Sequence, residues 1–361
     1  MVLVALASVA VVVAAHLHRG GPAAVRSARP QAAHAASPGS TAGSTAGSSG
    51  PTGPSSTAGT PTSTAPSAPA WSAPALVDPF GHLSSLSCAS PSFCMGLDAD
   101  LHGSYLFAGG AWSRVAMPGG AYLGAVSCPT AGSCVAVDAN AHLWTYADGA
   151  WSHASSLRAE PVASNLTSIS CATPVSCMVG TTGGEVLGLS RGVLVRSWKL
   201  AQEPFGGVAC PTSAFCVAVS GDEAFTYAGG TWSRGVPLDH PRSQAQRYTQ
   251  FLDAVACSSP SFCVAVDSTG DAFEGAAGQW SAGVKVAAVG LASVSCPAAD
   301  RCMALGSDGE AFHLDGGSWS SAAPAASGAG DPTTLSVAVS CPLATWCAAT
   351  DAGHVATYAS P

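Results

Sequence analysis

A Cys-x5-Cys pair occurs seven times along this chain: Cys88/Cys94, Cys128/Cys134, Cys171/Cys177, Cys210/Cys216, Cys257/Cys263, Cys296/Cys302 and Cys341/Cys347. The first cysteines recur at intervals of 40, 43, 39, 47, 39 and 45 residues. A fixed period of this size means that each repeat is one supersecondary unit, which narrows the fold more than composition can. The stretch from Leu291 to Ser320 is a clear copy. It holds a Leu-x-x-Val-Ser-Cys run, a Cys-Met-Ala-Leu run, an Ala-Phe-x-Leu run and a Trp-Ser start, separated by Gly, Asp and Ser. Four short strands, a to d, fit that unit. Four strands in roughly 40–45 residues make one blade of a β-propeller, whereas helical repeats of similar length need 3.6-residue periodicity and few glycines.

Seven pairs predict seven blades, yet the seventh repeat stops after strand c at Tyr358-Ala-Ser-Pro361. The missing Trp-Ser strand stands at the other end, as Ala70-Trp71-Ser72 ahead of the first repeat. The strand-d tryptophans are then Trp112, Trp151, Trp198, Trp232, Trp280, Trp319 and Trp71, one per unit. The sequence therefore predicts an all-β, seven-bladed propeller over residues 70–361 that the N-terminal strand closes. Closure removes the two exposed edges of an open array.

Each cysteine pair is read as a local disulfide that flanks a five-residue connection between strands a and b, stapling a hairpin across its own mouth. Seven pairs spread around a ring cannot converge on a metal, so no metal site and no cofactor are expected. Fourteen cysteines in regular pairs imply an oxidising compartment and hence export. Residues Val2 to Ala15 are an unbroken run of apolar or small residues with the length of a signal h-region, although no Lys or Arg precedes them. Residues 1–36 are read as a signal peptide or signal anchor, with a membrane tether through residues 2–15 as one outcome. Residues 37–69 are almost entirely Ser, Thr, Pro, Gly and Ala, too poor in apolar surface to offset the entropy of ordering, and are read as a flexible linker. The expected location is extracellular, either secreted or held at the outer face of the membrane. Only two lysines occur against eleven arginines, a bias that suggests a GC-rich bacterial source. Beyond the linker ten positive charges face twenty-one acids, a balance that disfavours nucleic acid as a partner.

The order Leu-x-x-Val, Cys-x-Ala-Val, Gly-x-Ala-x-x-Tyr, Gly-Gly-x-Trp resembles the Asp-box type of propeller repeat found in sialidases and in photosystem assembly-factor-like proteins. The c–d turn departs from that pattern, being shortened at Tyr146-Ala-Asp148-Gly149-Ala-Trp151 and lacking Asp at Tyr227-Ala-Gly229-Gly230-Thr-Trp232. The resemblance therefore implies the fold and not a catalytic subfamily. A sialidase-like site needs three converging arginines, and Arg114, Arg158, Arg191, Arg196, Arg234, Arg242, Arg247 and Arg301 are scattered over the repeats. The chain reads as a non-catalytic, monomeric binding or scaffolding module for a protein or a cell-envelope glycan. A secreted glycan-processing enzyme is the alternative.

Two features are candidates for the binding surface. The b–c turns carry Asp98, Asp100, Asp138, Glu185, Asp222, Glu223, Asp267, Asp271, Asp308, Glu310 and Asp351. Asp98, Asp222, Asp267 and Asp308 represent an acidic mouth, against the plainer reading that Asp-Gly and Asp-Ser make good turns. The longest crossover, between the fourth and fifth units, holds His240, Arg242, Arg247 and Tyr248. It shares the b–c face, and loops on a rigid scaffold are where recognition concentrates.

Overall fold

The computed structural model describes residues 70–79, 83–98, 103–118, 121, 123–138, 140–157, 165–238, 251–324, 337–351 and 353–360. The N-terminal apolar segment and the linker lie outside them. The described residues form seven antiparallel sheets of four or five strands each. Blade one is Leu83–Ser90, Phe93–Asp98, Gly103–Ala108 and Ala111–Val115. Blade two repeats it as Leu123–Thr130, Ser133–Asp138, His142–Ala147 and Ala150–Ser156. The a strands of successive blades lie side by side, and strand a of blade seven, Val337–Leu343, meets Leu83–Ser90 to complete the ring. One apolar cluster fills each of the seven gaps between blades. Leu187 and Val137 lie in the second gap, Phe225 and Phe205 in the third, and Tyr358 and Leu305 in the sixth. The period-2 pattern of each strand thus buries both faces of the inner sheets.

Ring closure is as the sequence predicts. Ala70 and Trp71 pair with Ala359 and Tyr358, and Ala75 and Leu76 pair with Val355 and His354, so the N-terminal strand is strand d of blade seven. The Trp71 and Tyr358 rings meet at 5.4 Å. Beyond this strand Val77 and Asp78 donate their N–H groups to the Gly353 carbonyl, and Tyr105 of blade one donates its hydroxyl to the buried Asp78 Oδ1. That clasp ties the N-terminal segment to both the last and the first blade. Burial and the neighbouring Asp78 push the Tyr105 hydroxyl pKa up to about 12.

All seven expected disulfides are present: Cys88–Cys94, Cys128–Cys134, Cys171–Cys177, Cys210–Cys216, Cys257–Cys263, Cys296–Cys302 and Cys341–Cys347. Their placement corrects the expectation of a staple across the mouth of a loop. The cysteines lie inside the strands, because strand a runs two residues past Cys88 to Ser90 and strand b starts at Phe93. The hairpin turns on two residues, and the bridge crosses the ladder rather than spanning a five-residue connection. In strand b the cysteines are core groups. Cys94 is 0% exposed, and Cys134, Cys216 and Cys263 are each 1% exposed. Cys134 packs in the cluster of Phe93 and Trp151, Cys216 in that of Phe205 and Phe225, and Cys263 in that of Phe215 and Phe273. Burial comes from strand alternation, which turns the second cysteine of a pair into the gap between sheets. These bridges brace the structure from within the gaps between sheets.

Cys171 and Cys177 oppose each other with their Cα atoms 3.9 Å apart, the close spacing of a non-hydrogen-bonded ladder position. At such a position the N–H of the first cysteine points away from strand b, toward the ring interior, where no strand waits for it. In five of the seven gaps the serine before a first cysteine meets that need in the neighbouring blade. Ser87 Oγ accepts from Cys128 N at 2.9 Å, Ser127 from Cys171 at 3.0 Å and Ser170 from Cys210 at 2.9 Å. Ser295 accepts from Cys341 at 3.0 Å, and Ser340 from Cys88 at 2.9 Å across the closing gap. At the remaining two gaps Ala209 and Ala256 stand in the serine's place. The inner wall is therefore laced by hydroxyls as well as packed. Blades four and five come close at Gly206, where a Cβ would stand 2.2 Å from the Leu252 carbonyl oxygen. Only glycine fits there.

The c–d turns use two residues at positive φ, such as Asp148 at 52° and Gly149 at 84°, the type I′ geometry that matches strand twist. After the turn Trp112, Trp151, Trp232, Trp280 and Trp319 pair with strand c as expected. Trp198 does not. In blade three Leu194 takes the equivalent place opposite Leu189, while Trp198 lies opposite Val186. A Cβ on Gly188 would meet the Trp198 ring at 3.0 Å, so that glycine makes room for the displaced indole.

Candidate functional site

The acidic b–c turns are turn chemistry before they are a mouth. Asp138 and Asp267 end strand b of their blades and are buried, with 1% and 0% exposure. Asp267 Oδ1 accepts from the N–H groups of Thr269 and Asp271, at 2.9 and 2.8 Å, and from the Thr269 hydroxyl. The carboxylate thus satisfies the backbone of the turn that follows it, as Asx turns do. Thr181 does the same work in blade three, accepting from Glu185 N at 3.1 Å. Blade six ends strand b on Gly306, and Asp308 compensates by accepting from Glu310 N at 3.1 Å from within the turn. The four acids expected to line a mouth are therefore not alike. Asp98 and Asp267 are buried, Asp222 is half-buried and Asp308 is exposed. The expected exposure fails for Asp98 and Asp267, which end strand b rather than lying in the turn after it. His240, Arg242, Arg247 and Tyr248 lie outside the described residues.

One carboxyl on the inner strands stands apart. Asp253, on strand a of blade five (Leu252–Ser259), is half-buried, and burial together with the Asp267 charge pushes its pKa up to about 7. The same point of strand a holds Ser84 in blade one and Thr167 in blade three. An acid poised near neutrality was not legible in the sequence, where Asp253 is one acid among twenty-one.

Among the described residues, clefts open between blades on the opposite face, that of the a–b and c–d turns. The first, of about 280 Å³, lies between blades six and seven. Its walls include Cys302 and Cys347, so bridged hairpins fix it on both sides. Arg301 and Asp315, opposite each other on strands b and c of blade six, form an ion pair at its rim at 3.2 Å, and His313 and Tyr358 add to the polar lining. Burial and Asp315 raise the Tyr358 pKa, which keeps its hydroxyl a donor. The second cleft, of about 350 Å³, lies between blades two and three under Pro174, Val175 and Arg191. Each cleft is lined by residues of two adjacent blades, a juxtaposition that a single repeat does not reveal.

The architecture and these surfaces define a disulfide-braced seven-bladed β-propeller. No protein-family model and no curated protein matches the sequence. Solved structures match at the level of fold. YCF48 bound to D1 peptide is 13% identical with a TM-score of 0.58, covering 81% of this chain and 97% of its own. The WD40 β-propeller domain of Doa1 is 10% identical with a TM-score of 0.64, covering 81% and 98%. Virginiamycin B lyase from Staphylococcus aureus is 6% identical with a TM-score of 0.66, covering 81% and 99%. The fold is shared by a peptide-bound protein and by a lyase, and it carries no function of itself.

Proposed function

We propose that this chain is a non-catalytic binding or scaffolding propeller that works outside the cell, carried by a signal or anchor at residues 1–36 and a linker at 37–69. Its partner is a protein or a cell-envelope glycan. The observation that carries the reading is the cleft between blades six and seven, whose walls are braced by two disulfides and whose rim presents a cation, an anion, an imidazole and a phenol. Fixed polar groups around a partly apolar hollow are what small recognition sites require. Seven disulfides fit an oxidising compartment, and the peptide-bound YCF48 supports a protein partner.

The test pairs location with binding. Protease shaving of intact cells should remove the propeller. Pull-down from envelope extracts and glycan-array binding should weaken for Arg301→Ala/His313→Ala if the cleft binds. They should weaken for Arg242→Ala/Arg247→Ala/Tyr248→Ala if the crossover binds. A protein retained in the cytoplasm, or two variants that bind as wild type does, would sink the reading.

A glycan-processing activity is the second reading, and Asp253 favours it. A carboxyl with a pKa near 7 beside a second carboxylate is suited to general acid–base work. Turnover of chromogenic glycosides that disappears in Asp253→Asn would favour it over the first.

A further inference from the structure

Among the described residues no three His, Cys, Asp or Glu side chains form a group able to hold a metal ion. Blade two nevertheless carries a pair of histidines whose rings are in contact. His142 opens strand c, and Trp144, two residues on, shares its face of the sheet. His153 on strand d lies directly opposite Trp144, so the three rings occupy one face. His142 and His153 meet with ring centroids 5.3 Å apart, and His153 meets the Trp144 edge at 5.2 Å.

The buried Asp138 sets the orientation. Its Oδ1 accepts from Asn140 N and His142 N at 2.8 and 2.9 Å, and its Oδ2 accepts from Trp144 Nε1 at 3.0 Å. Oδ2 also lies 2.9 Å from His142 Nδ1. A carboxylate can only accept, so the proton of a neutral His142 sits on Nδ1 and the lone pair on Nε2. This is the carboxylate–imidazole relation by which proteins orient a ligating histidine. Neither His142 Nε2 nor either nitrogen of His153 has a hydrogen-bond partner among the described residues. His142 is 33% exposed, and His153 is exposed.

The spacing matches that of shared ligation. With a metal–nitrogen bond of about 2.0–2.1 Å and the ring centre about 1.1 Å beyond, two imidazoles at a tetrahedral angle have centroids about 5.2 Å apart. A body with ten positive charges against twenty-one acids also draws cations to its surface.

We propose that His142 and His153 form a solvent-facing site for a borderline divalent transition-metal ion, zinc or copper, with Asp138 as the positioning residue that makes His142 ligate through Nε2. Water or a partner's side chain completes the coordination, which leaves the ion able to bridge to another molecule.

The test uses the full chain, stripped by chelator and titrated calorimetrically with Zn(II), with Cu(II) followed separately by electron paramagnetic resonance. His142→Ala, His153→Ala and His313→Ala are run beside it. His16, His18 and His34 are common to all four proteins, so any binding at those residues cancels. Wild type and His313→Ala should bind one equivalent more than His142→Ala or His153→Ala, with nitrogen couplings in the copper spectrum that both variants lose. His153 is exposed, so its variant keeps the fold. Asp138→Asn, assayed below its melting transition, should weaken binding about 10–100-fold at unchanged stoichiometry. Equal stoichiometry and affinity in wild type and both His→Ala proteins, or an unaltered copper spectrum, would overturn the proposal.

Discussion

The side chains that matter most here are small and act between blades. Ser127→Ala leaves the Cys171 N–H without its acceptor and should cost about 1 kcal/mol in denaturant titration. Ala256→Ser supplies a hydroxyl at a gap that has none and should recover a similar amount. A stability change of the same sign for both would show that the hydroxyls do not lace the ring. The acids separate in the same way. Asp267→Ala strips three donors in a buried turn and should cost about 1–3 kcal/mol, whereas Asp308→Asn keeps an acceptor at an exposed site and should stay within about 0.5 kcal/mol. Asp253 adds a dependence on pH. Its folded pKa of about 7 lies above the ordinary value, so folding favours the protonated form. That contribution is complete below about pH 4 and is lost as pH rises to about 7. Asp253→Asn should flatten the fall in melting temperature across that window, an effect of about 1–2 kcal/mol after solvent screening.

At the scale of the strand and hairpin, the cross-ladder bridge is the recurring device. Removing one, as Cys171→Ala/Cys177→Ala, should lower stability by about 2 kcal/mol. Non-reducing peptide mapping of the intact protein should recover only the seven local pairs, and a dominant bridge between repeats would contradict the structure. Period and turn residues made the blades legible, because a four-stranded meander repeats its alternation and its type I′ turns in every copy. The extent of the strands was not legible. The cysteines looked like the ends of a loop because Cys88-Ala-Ser-Pro-Ser-Phe-Cys94 reads as turn-rich, yet pairing carries strand a through Ser90. The near-complete burial of Cys134, Cys216 and Cys263 was hidden for the same reason, since a residue at a loop mouth would sit at the surface. Trp198 lies on strand d as expected but not at its start. A tryptophan near the end of the repeat satisfied the spacing, while Leu194 occupies the position that pairing defines. The serines before the cysteines were visible as a motif. Their role depends on which edge of strand a faces the next blade, and one repeat does not contain that information.

For the whole molecule, closure decides stability. Deleting residues 1–75 removes Trp71 and most of the closing strand, leaving the backbone of His354–Ala359 unpaired on one side, and should lower the melting temperature by many degrees. Deleting residues 1–65 should leave it unchanged. Equal melting of the two truncations would refute closure by the N-terminal strand.

Closure also sets an order in time. Each bridge joins residues six apart in sequence, so a hairpin can oxidise as soon as it meets an oxidant. The last ladder joins Trp71 to Tyr358 and cannot form until all seven repeats have been made. For that whole interval the first blade presents a bare flank where Ser340 will later meet Cys88. Bridges made early hold each hairpin in register through that wait, so that the ring shuts around parts already set.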